Sequence, residues 1–254
     1  MAATSSLYGG GGGEFPQFFF TTTETWVPPQ DGNICIHAIG AGGGGRGANS
    51  TNYRSGGGGG YAKLNSLAVT TSGSFTITIG AYGWGSSNNN DASAGGTTTV
   101  AGTGISSNLT ATGGGGGVSA NSGAGGVGSN GDVNRTGSSV NYYGGCVNIY
   151  STRNSKTTDA PGPGLLASSF GRIVGGPGES WDGMAQVAQG WVSQDGPDLS
   201  GGDYNNSSSG SYYVLGGLGG IGGGGGSSRN SASHTYSYGG KGGQGMVIIQ
   251  YLPW

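Results

Sequence analysis

The chain has 254 residues, of which 64 are Gly and 8 are Pro, and only 8% of its side chains are charged. Glycines grouped in runs rather than at every third position exclude collagen, and a cost of roughly 1 kcal/mol for each helical glycine excludes a helical bundle. A balance of 9 Lys+Arg against 11 Asp+Glu excludes nucleic acid, which needs clustered cations, while 32% apolar residues with 5 Trp, 13 Tyr and 6 Phe speak against disorder.

In chain order, Met1–Tyr8 has neither Lys nor Arg and no apolar core, so no secretory signal is expected. No apolar run approaches the roughly 20 residues of a membrane span. Residues 1–17 read as an N-terminal attachment segment, and 18–254 as a single glycine-rich β domain. Thr21–Val27 reads as a strand stopped by Pro28-Pro29. Asn33–Ile39 is apolar on nearly both faces, as in a strand covered on both sides. Tyr61–Val69 and Ser74–Ile79 are predicted to form a hairpin around Thr70–Gly73, and Thr97–Val100 with Leu109–Thr112 a second one. Met246–Leu252 is the last strand. The fold class is therefore all-β, a small antiparallel sheet or sandwich closed by its own C-terminal strand, combined with packed polyglycine II helices and long loops.

The helices are inferred from the glycine runs Gly9–Gly13, Gly42–Gly45, Gly56–Gly60, Gly113–Gly117 and Gly222–Gly226. Glycine loses more backbone freedom on folding than any other residue, so something regular must offset that loss. A three-fold helix with about 3.1 Å rise does so, because without Cβ atoms such helices pack close enough to hydrogen-bond to one another. The local period is three: Leu215, Leu218 and Ile221 share one edge, Tyr238, Lys241 and Gln244 repeat the spacing, and Ala124, Val127 and Asn130 echo it. Flexible loop glycine is the alternative.

Residues 132–213 differ in texture, mixing charged, aromatic, Ser, Asn and Gly residues without long glycine runs, and read as a loop-rich insertion. Tyr, Trp, Ser and Asn in loops form the composition of a recognition surface, since aromatics give rigid contact area at low entropy cost. On that ground Tyr142, Tyr143, Tyr150, Trp181, Trp191, Tyr204, Tyr212, Tyr213, Tyr236 and Tyr238 are the receptor-binding candidates. The alternative is that they cover the ends of the glycine layer as a substitute core.

Catalysis has little to work with. His37 lies in a strand and His234 in a loop, so no zinc cluster or Ser-His-Asp set is visible. Asp182, Asp195, Asp198 and Asp203 sit in Gly/Pro/Ser turns, where Asp bonds its own backbone. Gly128–Val133 resembles a single copy of a calcium-binding nonapeptide, which needs stacked copies. Glycine-based nucleotide motifs mean little in a chain a quarter glycine, and none opens a helix after a strand. Two cysteines, Cys35 and Cys146, are too few for a disulfide scaffold, and Cys35 sits in an apolar run suited to a free thiol; their pairing is left open. No enzyme, metal or cofactor is expected.

Taken in order, Thr25-Trp26-Val27-Pro28, Gly40-Ala41 running into Gly42–Gly45, Gly56–Gly60 followed by Tyr61-Ala62-Lys63, Phe75–Gly80, Gly95–Thr99, Leu109–Gly117 and Gly245–Tyr251 resemble the glycine-rich domain of bacteriophage tail fibres. The likeness covers about Phe18–Gly126 and Gly216–Tyr251, and extends in class to the glycine-rich distal adhesins of T-even-like phages. It implies a virion tail protein, assembled in the host cytoplasm, whose loops attach to the host. The implied partners are other tail or fibre proteins and a host surface glycan or outer-membrane protein, with a homo-oligomer as one form of assembly. Residues 132–213 exceed the family's usual middle and cannot be aligned residue by residue. Met1–Glu14 is short for a fibre shaft, which suggests a tip or accessory subunit. A purely structural tail subunit is the alternative, followed by an ice-binding protein, which would need a Thr or Ala face at period three, and a glycan hydrolase.

Overall fold

The computed structural model describes residues 16–48, 52–87, 89–139, 144–147, 185–187, 190–192, 205–207, 213–230 and 236–252. Within these, the framework is a sandwich of two five-stranded sheets. The first contains β1 (Gln17–Phe20), β3 (Gly32–Ile39), β5 (Tyr61–Val69), β10 (Val133–Arg135) and β17 (Met246–Tyr251), in the order β1-β17-β3-β5-β10. The second contains β2 (Glu24–Trp26), β6 (Phe75–Thr78), β7 (Thr98–Gly102), β8 (Leu109–Ala111) and β9 (Gly128–Ser129), in the order β2-β6-β7-β8-β9. All these neighbours pair antiparallel, as expected of the framework.

Side-chain alternation assembles the core. Phe18, Phe20, Ile34, Ile36, Ala38, Val247, Ile249 and Tyr251 from the first sheet meet Trp26, Phe75, Ile77, Val100, Leu109 and Ala111 from the second. Trp26 is the aromatic centre, with ring centroids 5.4 Å from Phe18 and 5.6 Å from Phe75. The opposite face of the first sheet is also buried, where Ile39, Tyr61, Met246 and Ile248 pack with Val147. This explains why Asn33–Ile39 is apolar on both sides.

Three expectations are corrected. The strand expected at Thr21–Val27 is shorter, β2 (Glu24–Trp26) alone, and β1 just before it serves the other sheet across a bend. Tyr61–Val69 and Ser74–Ile79 do not pair with each other: β5 joins β3 and β10, and β6 joins β2 and β7. The turn between them is a corner from one sheet to the other, which lets Phe75 and Ile77 face the shared core. The C-terminal strand does not close an edge but sits centrally, between β1 and β3.

Beyond the sandwich, the glycine runs form a lattice whose hydrogen bonds repeat every third residue. Gly40, Gly43 and Arg46 donate to the carbonyls of Gly60, Gly57 and Arg54; Ala41 and Gly44 to those of Gly96 and Ser93; Gly42 and Gly45 to those of Gly243 and Gly240. The same segment accepts at Ala41 and Gly44 from Gly114 and Gly117, at Gly42 and Gly45 from Gly83 and Ser86, and at Gly43 from Gly225. A three-fold helix surrounded on six sides is the polyglycine II arrangement. Residues 54–60 repeat the pattern, with Gly57 and Gly60 donating to Gly115 and Thr112, and Gly56 and Gly59 to Gly225 and Gly222.

Close approach is what requires glycine here. A methyl group at Gly42 would overlap the Gly223 carbonyl, and one at Gly43 the Gly115 carbonyl. Gly222, at φ 68°, makes the left-handed turn that reverses residues 216–220 into 223–226, a conformation that costs glycine nothing sterically.

The lattice separates the sandwich from a second group of strands. β3 runs into residues 40–46 and then β4 (Gly47–Ala48), while β16 (Tyr236–Tyr238) runs into 239–245 and then β17. Eight steps at about 3.1 Å, from Ile39 to Gly47 and from Tyr238 to Met246, place these ends roughly 25 Å apart. At the far end stand one sheet of β11 (Ala185–Val187), β12 (Gly190–Val192), β14 (Tyr213–Leu215) and β16, and another of β13 (Asn205–Ser207), β15 (Ser228–Asn230) and β4. Apart from β11 with β12, their pairs are parallel. Parallel neighbours need long crossovers. The glycine helices supply them: the parallel pair β14 and β16 continues directly as Gly216 and Gly219 donating to Tyr238 and Lys241.

Candidate functional site

The far end of the lattice gathers the strand-borne candidates. Tyr213 and Tyr236 are register partners on β14 and β16, Leu215 partners Tyr238 in the same direction, and Trp191 on β12 partners Val214. Tyr238 is exposed and begins the row that continues with Lys241 and Gln244. Tyr142, Tyr143, Tyr150, Trp181, Tyr204 and Tyr212 lie outside the described residues, as do His234, Asp182, Asp195, Asp198, Asp203, residues 1–15 and most of 132–213.

Arg46 pins this end. It is 3% exposed, and its guanidinium donates to the backbone carbonyls of Asn52, Asn89 and Asn90, the last at 3.2 Å. Asp91 lies 3.5 Å from its Nε. Burial pulls the Arg46 pKa below its ordinary value; Asp91 opposes that shift and Arg54 adds to it. A buried guanidinium is tolerated only when its donors are met, and here they are met by Asn52 together with the loop residues Asn89, Asn90 and Asp91. Asn89 takes the left-handed conformation, φ 70°, which Asn adopts more readily than most residues. The loop's position thus follows from one arginine on the central glycine helix.

A second surface lies along the lattice flank, where three helices run side by side: 80–86, 239–245 and 216–220. Gly239, Gly242 and Gly245 donate to Ser86, Gly83 and Gly80, and Gly216 and Gly219 to Tyr238 and Lys241. Their outward positions are Ala81 and Trp84, then Tyr238 and Lys241, then Leu215 and Leu218; the next step of the last two rows turns inward, with Gln244 donating its amide to the Thr21 carbonyl at 3.0 Å and Ile221 packing beside Ile39 and Val147. Trp84 is 55% exposed and Leu218 43%. Of the exposed large apolar residues among those described, only Val27 and Val127 lie elsewhere.

The aromatic part of the flank is organised. Tyr82 and Trp84 meet edge to face at 5.0 Å, and the Lys241 ammonium lies 4.0 Å from the Trp84 centroid and 5.5 Å from that of Tyr82. At an exposed site such a cation–π contact is worth about 0.5–1 kcal/mol. The Trp84 backbone is held by its N–H donating to Ser93 Oγ at 2.7 Å. Sequence reasoning missed Tyr82 and Trp84. The available signal was Gly80, Gly83 and the exposed positions 81 and 84, a three-residue period without a glycine run.

The lattice also controls its own surface. No glycine within its described helices is exposed; the exposed positions are residues such as Ala81, Trp84, Ala124, Val127, Leu218 and Lys241. The Ala124, Val127 and Asn130 row predicted at period three is exposed throughout, and Val127 is 49% accessible.

The buried polar groups form a structural set. His37 Nδ1 and the Tyr61 hydroxyl lie 2.7 Å apart, and His37 Nε2 is 3.3 Å from Cys35 Sγ. Burial, reinforced by Lys63, lowers the His37 pKa to about 4, and burial raises that of Cys35. A neutral imidazole beside a protonated thiol, closed off from solvent, has neither the thiolate nor the access of a nucleophilic pair. Cys35 and Cys146 are not joined by a disulfide. Asp132, in the calcium-like fragment, accepts the Asn65 N–H at 2.7 Å, and Asn134 Oδ1 accepts that of Gly131, so the fragment is the turn joining β9 to β10. Among the described residues no group of His, Cys, Asp and Glu could hold a metal ion, and no helix is long and apolar enough to cross a membrane.

A protein-family model described as a glycine-rich domain matches residues 19–252. No curated protein matches the chain.

Proposed function

We propose that this chain, which belongs to the glycine-rich domain family, is a bacteriophage tail fibre or tail-tip protein that attaches the virion to the host surface by binding, without chemistry. The reading is carried by one observation: the lattice holds β12, β14 and β16, with Trp191, Tyr213 and Tyr236, about 25 Å from the sandwich on a backbone scaffold that side-chain repacking cannot deform. A rigid spacer with aromatic-bearing strands at its far end suits a receptor-binding tip, since recognition gains affinity when the contact residues are pre-organised. The proposed partners are other tail proteins on the sandwich side and a host glycan or outer-membrane protein at the far end. Assembly would take place in the host cytoplasm.

The test is to carry Trp181→Ala and Trp191→Ala together into the particle. Normal assembly with at least a tenfold drop in adsorption is expected, about 1.4 kcal/mol of lost contact. Adsorption equal to the parent sinks the reading. Particles that fail to assemble favour a structural subunit packed between other virion proteins.

A further inference from the structure

The flank differs from the far end in what it offers. Its middle helix uses two of its three N–H directions inside the lattice, with Gly239, Gly242 and Gly245 facing one neighbour and Gly240 and Gly243 another. Tyr238 and Lys241 occupy the third direction, outward, and successive residues of such a row stand about 9 Å apart. The surface is therefore fixed by backbone bonds. It presents an exposed indole, a phenol set against it and one ammonium.

The ammonium has an incomplete set of partners. The one ion pair among the described residues joins Arg46 to Asp91, and the flank rows carry no carboxylate. The positive charge of Lys241 rests on the faces of Trp84 and Tyr82. A ligand that brings both a ring with an apolar C–H face and an anionic group would stack on the indole and draw the ammonium into a charge-assisted hydrogen bond, which is stronger than a contact with a π face. A peptide side chain would need a pocket to be enclosed. A pyranose ring needs only a flat aromatic face, and a linear polymer of them matches a row that repeats.

We propose that Tyr82, Trp84 and Lys241 form a subsite for an acidic sugar residue of a linear polysaccharide lying along the lattice flank. Trp84 supplies the stacking face, Tyr82 holds that ring and offers its hydroxyl, and Lys241 pairs with the carboxylate. The inference deepens the attachment reading and rests on it for its biological setting, because it names a glycan chemistry and puts it on the side of the scaffold rather than at its end.

The experiment titrates the full purified chain with a uronate hexamer, a sialate hexamer and a neutral glucose hexamer, followed by tryptophan fluorescence and calorimetry. Saturable binding of at least one acidic hexamer is expected. It should weaken about tenfold or more in Trp84→Ala and fall to the level of the neutral hexamer in Lys241→Gln, with both variants melting like the parent. Binding by Trp84→Ala equal to the parent, no preference for acid over neutral sugar, or no binding of either acidic hexamer at millimolar concentration each overturns it. If acidic sugars fail to bind and particles reject the Trp84→Ala chain, the flank is a protein interface and the proposal is wrong. Loss of adsorption in the Trp181 and Trp191 variants without acidic-sugar binding sinks this inference alone. Trp84-dependent sugar binding with adsorption unchanged in every variant supports the subsite and sinks the attachment reading.

Discussion

The sandwich and the lattice solve the same packing problem in opposite ways. In the sandwich, Phe75, Ile77, Val100 and Leu109 are fully buried, and each contributes about 1.5–3 kcal/mol by leaving water. In the lattice, the segment 40–46 is equally buried, yet its interior consists of peptide groups bonded to other peptide groups, each bond worth about 0.5–1.5 kcal/mol net. A core of side chains can shift to absorb a change in volume. A core of backbone has nothing that can move aside. The lattice should therefore be brittle where the sandwich yields, and permissive only at the outward third position.

The largest expected effect tests that brittleness. Gly43→Ala places a methyl group on the Gly115 carbonyl, so relief requires separating two helices and breaking their shared bonds. A loss of more than about 4 kcal/mol, beyond the usual range for a single substitution, is expected in urea denaturation. Ile36→Val in the sandwich should cost only about 0.5–1.5 kcal/mol. A Gly43→Ala chain as stable as Ile36→Val would show that the lattice does adapt.

Acid should strike the two regions unequally. The unfolded chain takes up a proton on His37 near pH 6.5 and the folded chain only near pH 4, because burial disfavours the imidazolium. Between those values the unfolded state holds more protons, so stability falls as pH drops through that window and is complete above it. The loss amounts to roughly 3 kcal/mol. It should disappear in His37→Gln, and hydrogen exchange at pH 4.5 should rise in β3 and β5 before it rises at Gly43 or Gly57. Equal acceleration in the glycine helices would mean that the two regions unfold as one.

The sequence carried the strands and the glycine helices wherever a period was local. Tyr61–Val69 and the pairing of Thr97–Val100 with Leu109–Thr112 are found, and so are the exposed rows through Leu218 and Val127, because alternation and the three-residue step are properties of one segment. Partners were harder to see. The hairpin expected between Tyr61–Val69 and Ser74–Ile79 fails because a short turn between two strands does not distinguish pairing from a corner; the shared core around Trp26 decides, and it is assembled from distant segments. Residues 80–86 and 92–96 were missed as lattice members for a related reason. They contain few glycines, since their third position faces water and can hold Trp84 or Ser93. The flank site was illegible on the same ground: Tyr82 and Trp84 stand some 160 residues from Lys241, and only the register of three helices brings them together.

A pair of substitutions on the flank carries the sharpest test of how the lattice ends. An unpaired row of N–H and C=O groups is a template for another chain, a hazard that β-sheets manage with charged or bulky residues on their edges. Here the exposed positions hold Leu218, Lys241, Trp84 and Val127 where the interior holds glycine. The overlap that forbids a side chain inside also stops a further helix from approaching such an edge. Replacing Leu218 and Lys241 together by Gly removes no buried contact and should cost about 1–2 kcal/mol from added backbone freedom. It should also turn the flank into an open lattice face, so that light scattering detects concentration-dependent self-association that Leu218→Ala with Lys241→Ala does not show, because an alanine methyl is enough to block close approach. If the glycine pair stays as dispersed as the alanine pair, the outward side chains are not what terminates the lattice, and its size is set by the sequence of glycine runs alone.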